Sequence, residues 1–157
     1  MQKVSTFLWF ESGVEEAAQL YTSLIPDSSI LEVQRFGEGM PGGLIVLRFT
    51  LAGIEYQAMN TGPANGFTEA FSLSVVCDDQ AEVDRLWDGL TADGGEESMC
   101  GWLKDRWGVS WQIVPRRLLE LQADPDRERA GRANQAMLGM RKLDIAALEA
   151  AADGSRH

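Results

Sequence analysis

Phe71-Ser72-Leu73-Ser74-Val75-Val76-Cys77-Asp78-Asp79-Gln80-Ala81-Glu82-Val83-Asp84-Arg85-Leu86-Trp87-Asp88-Gly89-Leu90 carries two hydrophobic periods in succession. Residues 71–77 alternate as a strand does. Asp79, with Glu82 three positions on, is the pairing that satisfies the orphan amides of a first helical turn. Val83, Leu86, Trp87 and Leu90 then fall on one helical face, and Gly94-Gly95 ends the helix. Short extended pieces follow at 97–100, 101–105 and 109–114, which completes a strand–helix–strand–strand–strand unit.

The same order stands upstream. Val4 to Phe10 is β-branched and aromatic and reads as a buried strand. Ser12 and Glu15 form a capping pair, and Val14, Ala17, Ala18, Tyr21 and Leu24 make one helical face. Pro26-Asp27-Ser28 stops that helix, and strands follow at 30–36, 44–51 and 54–60, the last two joined by an Ala52-Gly53 turn. Two units of one architecture, offset by roughly 65–70 residues, make an internal repeat resting on pattern and not on residue identity. The expected class is α+β, with paired βαβββ modules at about 3–60 and 69–115 inside a single 1–157 domain.

Residues 116–152 form a helical tail of different character. Between 116 and 142 there are seven bases against four acids, net +3, which leaves −13 to the rest of a chain of net charge −10. Asp124-Pro125 reads as a cap followed by proline in the first turn. Ala130, Ala133, Met137 and Met140 share a face, and Asp144 caps a last short helix through Ile145 and Leu148. That small-residue face suits either a dimer contact or packing on its own domain beneath a solvated basic face.

Composition narrows the function. The chain has 157 residues, 45% hydrophobic and 24% charged, which is ordinary for a globular protein. Its acidity opposes non-specific binding to nucleic acid or anionic membrane. The apolar runs are too short to span a bilayer, and no basic stretch precedes an apolar one near the start, so no signal peptide is expected. Two cysteines, Cys77 and Cys100, are too few for a disulfide framework and suit a reducing cytoplasm. The one histidine is His157, the last residue, so neither an imidazole base nor a histidine metal ligand is available internally.

Gly37-Glu38-Gly39-Met40-Pro41-Gly42 matches a dinucleotide fingerprint in letters only. A β-rich run follows it where a phosphate cradle needs a helix, so it reads as a loop between strands. No other glycine pattern supports an adenosyl cofactor, and none is expected. The most distinctive stretch runs from Cys100 to Pro115, with Trp102, Trp107 and Trp111 within ten residues. Each indole serves either a ligand cavity or a small core. Cys100 is a nucleophile only if Lys104 or Arg106 lowers its pKa; otherwise it is an inert thiol.

Phe7 to Phe10, Phe67-Thr68-Glu69-Ala70, Cys100 to Asp105, Gly108 to Pro115 and Gln135-Ala136-Met137 together resemble the PhnB-like family. That family is often labelled 3-demethylubiquinone-9 3-methyltransferase. It belongs to the vicinal oxygen chelate superfamily, with glyoxalase, bleomycin-resistance proteins and extradiol dioxygenases. The resemblance covers essentially the whole chain. It implies a cup-shaped mixed sheet built from two βαβββ modules, here with C-terminal helices, and a homodimer.

Metal-using relatives take His, Glu or Gln ligands from four strands. By motif those positions fall on Ser5, near Tyr56, on Ala70 beside Glu69, and on Gln112. Only Gln112 is a ligand type that the superfamily uses, so no metal site is expected. With Ser5 facing inward, the pleat brings Phe7 and Trp9 to the same face, and Tyr56, Ala58, Asn60, Ser72, Ser74, Ser110 and Gln112 are expected with them. Leu8, Phe10, Phe71, Leu73, Val75, Trp111 and Ile113 would face the helices.

The expected function is therefore metal-independent binding of a small organic molecule by Ser5, Phe7, Trp9, Tyr56, Asn60, Ser72, Ser74 and Gln112. An enzyme of the same fold, a lyase, isomerase or dioxygenase, is the alternative. It would use Glu69 or Cys100, or an externally supplied divalent metal. A third reading docks the arginine-rich helix (Arg127, Arg129, Arg132) on an acidic partner.

Overall fold

The computed structural model describes residues 2–37, 43–60 and 62–154, which fall into two units, Met1–Phe67 and Thr68–His157. The first unit runs β1 (Thr6–Phe10), α1 (Val14–Leu24), β2 (Ser29–Phe36), β3 (Leu44–Leu51) and β4 (Ile54–Asn60). Its sheet has the order β1-β4-β3-β2, with β1 parallel to β4 and the other pairs antiparallel. The second unit repeats this with β5 (Leu73–Cys77), α2 (Gln80–Thr91), β6 (Glu96–Glu97), β7 (Trp102–Lys104) and β8 (Ser110–Pro115), in the order β5-β8-β7-β6. Again the helix-flanking strand pairs parallel with the last strand of the module. The fold is α+β, two four-stranded mixed sheets of identical topology, as the repeated pattern predicts.

Local chemistry explains most boundaries. Ala52 and Gly53 have φ of 50° and 81°, the paired left-handed conformation of a two-residue hairpin turn. At the start of α2 the Glu82 amide donates to Asp79 Oδ1 at 2.8 Å, and the Asp78 amide donates to Glu82 Oε1 at 3.3 Å.

Two caps differ from the expectation. α1 is entered through Gly13 at φ 74°, which puts Ser12 outside the capping position. The amide oxygen of Asn60 accepts from Val14 N at 3.0 Å in its place. In the tail, Asp124 Oδ1 accepts from Asp126 N at 2.9 Å, and this turn delays the helix by two residues. Asp126 is the cap, accepting from the amides of Glu128 and Arg129. The phosphate-loop pattern ends in residues 38–42, which lie outside the described residues; its flanks are β2 and β3, two antiparallel strands.

In each module one sheet face lies under its helix. Leu8, Phe10, Leu47, Phe49 and Ala58 are buried with Val14, Ala17, Ala18 and Tyr21 of α1. Leu73, Cys77, Leu103, Trp111 and Ile113 are buried with Val83, Leu86, Trp87 and Leu90 of α2. The tail folds as α3 (Arg116–Gln122), α4 (Arg127–Leu138) and α5 (Ile145–Ala152). Leu118, Leu121, Ala133, Leu143, Leu148 and Ala152 close a core of their own, against which Val114 of β8 packs. The small-residue face of α4 thus packs within its own unit.

The tail is also bonded to the second module along the chain. The amides of Cys100 and Gly101 donate to the carbonyls of Met140 and Arg141 at 2.7 and 2.9 Å. Three of its arginines instead bond the tail to itself. Arg129 pairs with Asp124 and Asp153, Arg132 donates to the carbonyls of Ala151 and Ala152 at the end of α5, and Arg127 donates to those of Gln122 and Asp124. Among the described residues no helix is long and apolar enough to cross a membrane.

Candidate ligand site

The tryptophan-rich stretch divides by parity. Trp111 is fully buried on the helix side of β8, and its indole N–H donates to Asp105 Oδ2 at 3.0 Å. Asp105 is itself only 3% exposed, and its Oδ1 accepts from the amides of Trp107 and Val109. One carboxylate therefore closes the β7–β8 turn and anchors one of the two buried core tryptophans. Trp107 lies half-buried in that turn, with the Arg106 guanidinium 4.9 Å from its ring centre. Trp102, level with Gln112 in the sheet, lies on the opposite, open face.

That open face of the second module collects uncharged groups. Ser74 and Gln112 pair across β5 and β8, and Gln112 Nε2 donates to Ser72 Oγ at 3.0 Å. Val76 and Val114 form the next row. A cavity of about 270 Å³ lies over Ser74, Gln112, Val76 and Val114, lined also by Cys100 and Trp102 and by Leu118, Leu119, Gln122 and Met137 of the tail.

The first module repeats the motif. Gln57 Nε2 donates to Ser5 Oγ at 2.9 Å, and Phe7 and Trp9 stand beside this pair, exposed by 46% and 39%. Phe7 pairs with Gln57 in the parallel register as Ser74 pairs with Gln112, so the two Ser–Gln pairs occupy equivalent positions in the two modules.

This geometry corrects the expected face of β4. Tyr56, Ala58 and Asn60 lie on the helix side, since Ala58 pairs with buried Leu8 and Leu47. Tyr56 stacks on buried Phe49 with ring centres 5.6 Å apart, and burial raises its phenol pKa. The carboxamide of Asn60 caps α1. The open-face residues of β4 are Glu55, Gln57 and Met59, one position along. Likewise Ala70 lies in a turn ahead of β5, and the residue bonded to Gln112 is Ser72. Sequence reasoning missed Gln57; the signal that could have found it is the repeat, since Ser5/Gln57 stands in the first module where Ser72/Gln112 stands in the second.

A second hollow of about 330 Å³ adjoins the first and includes Glu69, Lys104 and Ser110. Glu69 is 2.8 Å from Lys104, which holds its carboxyl below the usual range and raises the lysine. Lowered basicity opposes general-base work. A larger groove of about 510 Å³ lies away from the sheets, among the starts of α2, α3 and α5. Its arginines are engaged: Arg116 with Asp78 at 3.0 Å, and Arg117 with Glu149 at 3.0 Å and Glu120 at 3.2 Å.

Among the described residues no three His, Cys, Asp or Glu side chains converge. Each Ser–Gln pair offers one hydroxyl and one amide already bonded to each other, which does not suit a divalent cation. The cysteines differ in accessibility. Cys77 is fully buried, and burial, with the Glu82 carboxylate second, pushes its thiol up to about 12, whereas Cys100 is half-buried beside the cavity. At about pH 8, Ellman's reagent should therefore titrate one thiol per native chain and both after denaturation. Two fast thiols in the native protein would contradict the burial of Cys77.

The family described as 3-demethylubiquinone-9 3-methyltransferase matches residues 2–114. A putative 3-demethylubiquinone-9 3-methyltransferase (PhnB protein) from Bacillus cereus is 36% identical, over 73% of this chain and 99% of that one, with a TM-score of 0.67. A protein from Pseudomonas aeruginosa shares the fold at 22% identity, 73% and 98% coverage and a TM-score of 0.61. So does a fosfomycin resistance protein from Listeria monocytogenes, at 16% identity, 76% and 94% coverage and a TM-score of 0.54. No curated protein matches significantly. With residues 2–114 matched and 99% of the Bacillus protein covered at 36% identity, the chain belongs to the 3-demethylubiquinone-9 3-methyltransferase-like (PhnB-like) family.

Proposed function

We propose that the protein binds a small, uncharged organic molecule on its open sheet faces without using a metal. The observation that carries this is the side-chain inventory of the second module's cavity: an indole and aliphatic groups around the Gln112 amide and the Ser74 hydroxyl, with no charged group. Ser72 positions the Gln112 amide from behind. Ser5, Phe7 and Trp9, with Gln57 in place of Tyr56 and Asn60, are the equivalent candidates in the first module.

The family's name implies a methyl donor. S-adenosylmethionine carries a sulfonium, an ammonium and a carboxylate, and this cavity presents neither an acidic nor a basic partner for them. The residues there do not fit that cofactor. An enzymatic role through Glu69 is less favoured, because its carboxylate is ion-paired and its basicity lowered. Docking of an acidic partner has little support either, since Arg127, Arg129 and Arg132 are bonded within the tail.

The test is titration with an uncharged aromatic, 2-naphthol, followed by tryptophan fluorescence. Saturable quenching is expected. Gln112→Leu should weaken it several-fold, by the about 0.5–1.5 kcal/mol of one hydrogen bond, and leave Tm nearly unchanged or slightly higher. Quenching that is linear in 2-naphthol, or untouched by Gln112→Leu, would count against the site.

We also assign a homodimer. Phe7 and Trp9 on the open face, and Leu31, Val33 and Phe36 on the edge strand β2, are large apolar groups exposed by 36% or more. Sedimentation at micromolar concentration should give twice the chain mass; a monodisperse monomer overturns the assignment. Two free thiols fit a reducing, cytoplasmic setting.

A further inference from the structure

The two-module match ends at residue 114, and the Bacillus protein is spanned over 99% of its length by 73% of this chain. The helices α3–α5 therefore lie beyond the family's matched region, yet they do not stand apart from the sheet. We propose that this helical extension is the specificity wall of the ligand cavity, restricting it to small, uncharged molecules. The proposal rests on the ligand-binding reading above and adds to it the element that selects the ligand.

Three observations meet here. The cavity is lined from the sheet by Ser74, Trp102 and Gln112, and from the extension by Leu118, Leu119, Gln122 and Met137. Without α3 and α4 this end of the open face would have no wall. The wall is also rigid. Leu118 belongs to the tail core, and the α4–α5 connection is hydrogen-bonded to Cys100 and Gly101, which directly precede Trp102. A pre-formed wall adds no ordering cost when a ligand enters.

Finally, charge separates this cavity from its neighbour. Cys100 and Trp102 border both hollows, but Glu69 and Lys104 lie only in the other one. A charged molecule entering this cavity would lose hydration with no counter-charge to replace it. An uncharged ring loses nothing comparable and gains the indole face and the Gln112 amide. Leu119 has a particular place: it is 43% exposed and no part of the tail core, yet its side chain borders the cavity. It can therefore be changed without unfolding the tail.

The full-length chain would be titrated with 2-naphthol and with its anionic counterpart 2-naphthoate, alongside Leu119→Glu, Leu119→Lys, Gln112→Leu and Ile54→Glu. Ile54 is 56% exposed in the first module and serves as the control for a new surface charge. Wild type should prefer 2-naphthol by about tenfold or more. Leu119→Glu should weaken 2-naphthol by about tenfold at unchanged Tm, and Ile54→Glu should leave it as in wild type.

Leu119→Lys should tighten 2-naphthoate, a gain that damage to the fold cannot produce. If Gln112→Leu weakens 2-naphthol while both Leu119 variants bind both probes as wild type does, the wall is wrong and the sheet-face site stands. A preference for 2-naphthoate in wild type overturns the ligand class. If neither probe binds saturably, or Ile54→Glu acts as strongly as Leu119→Glu, the wall and the binding function fall together.

Discussion

Trp111→Ala should lower the stability of the protein by about 3–5 kcal/mol, the cost of truncating a large, fully packed core side chain. Trp111 is 0% exposed and pairs with Leu73 on one side and Leu103 on the other, so its removal opens a void at the centre of the second sheet. The void cannot close from the polar side, because Asp105 Oδ2 accepts the Trp111 indole N–H and would lose that donor at a position 3% exposed. Trp111→Phe separates the two contributions. It keeps most of the packing and forfeits the donor, so a smaller loss of about 1–3 kcal/mol is expected. Chemical denaturation of the three proteins checks the order. Gln112→Leu, the next residue but on the open face, should leave the midpoint nearly unmoved. If Gln112→Leu unfolds the protein while Trp111→Ala does not, the two faces of β8 are reversed and every open-face residue moves by one position.

That single-position sensitivity is also why the fold was more legible than the site. The fold depends on periods and punctuation, which are local. Asp79 followed by Glu82, the left-handed Ala52-Gly53 turn, and the spacing of Val83, Leu86, Trp87 and Leu90 each act within a few residues, and each is met in the structure. The face of β8 was legible for the same reason: Trp111 and Ile113 are too large and apolar to alternate any other way. On β4, however, Tyr56 and Asn60 are polar enough for either side. What settles them is distant in sequence: Phe49 under the Tyr56 ring, and the Val14 amide that needs the Asn60 carboxamide because Gly13 displaces Ser12 from the cap. The contribution of α3 and α4 to the cavity is further still from local signals. Leu119 and Met137 are ordinary helix residues until the tail's docking on residues 100–101 brings them beside Gln112.

The same docking makes Gly101→Ala a damaging substitution for its size. Gly101 has φ +82°, a conformation that costs a side-chain-bearing residue about 1–2 kcal/mol. A methyl group there would stand 2.9 Å from the Ile113 carbonyl oxygen and 3.0 Å from Leu143 Cδ1. Neither neighbour can yield freely. Ile113 is fully buried and its amide donates to the Gly101 carbonyl at 2.8 Å, while Leu143 is a 0%-exposed member of the tail core. Displacing them adds about 1–3 kcal/mol of overpacking. The total of about 2–5 kcal/mol should lower Tm by about 5–15 °C in a chain of this size. Gly108→Ala is the matched control, since Gly108 has φ +90° with nothing within 4 Å of the added carbon and carries the conformational cost alone. The difference between the two variants measures how firmly the extension is clamped to the β6–β7 connection. Limited trypsinolysis gives a second readout: in Gly101→Ala, cleavage after Arg127, Arg129 and Arg132 should accelerate relative to Gly108→Ala, because the Gly101 amide also donates to Arg141 and so holds the tail. Equal midpoints and equal cleavage in the two variants would mean that the tail does not depend on this turn, and the rigidity ascribed to the cavity wall would then have to come from its other ties to the second module: the Val114 contact, the Gln80 carboxamide bonded to Leu143 and Ile145, and the Lys142–Asp84 pair.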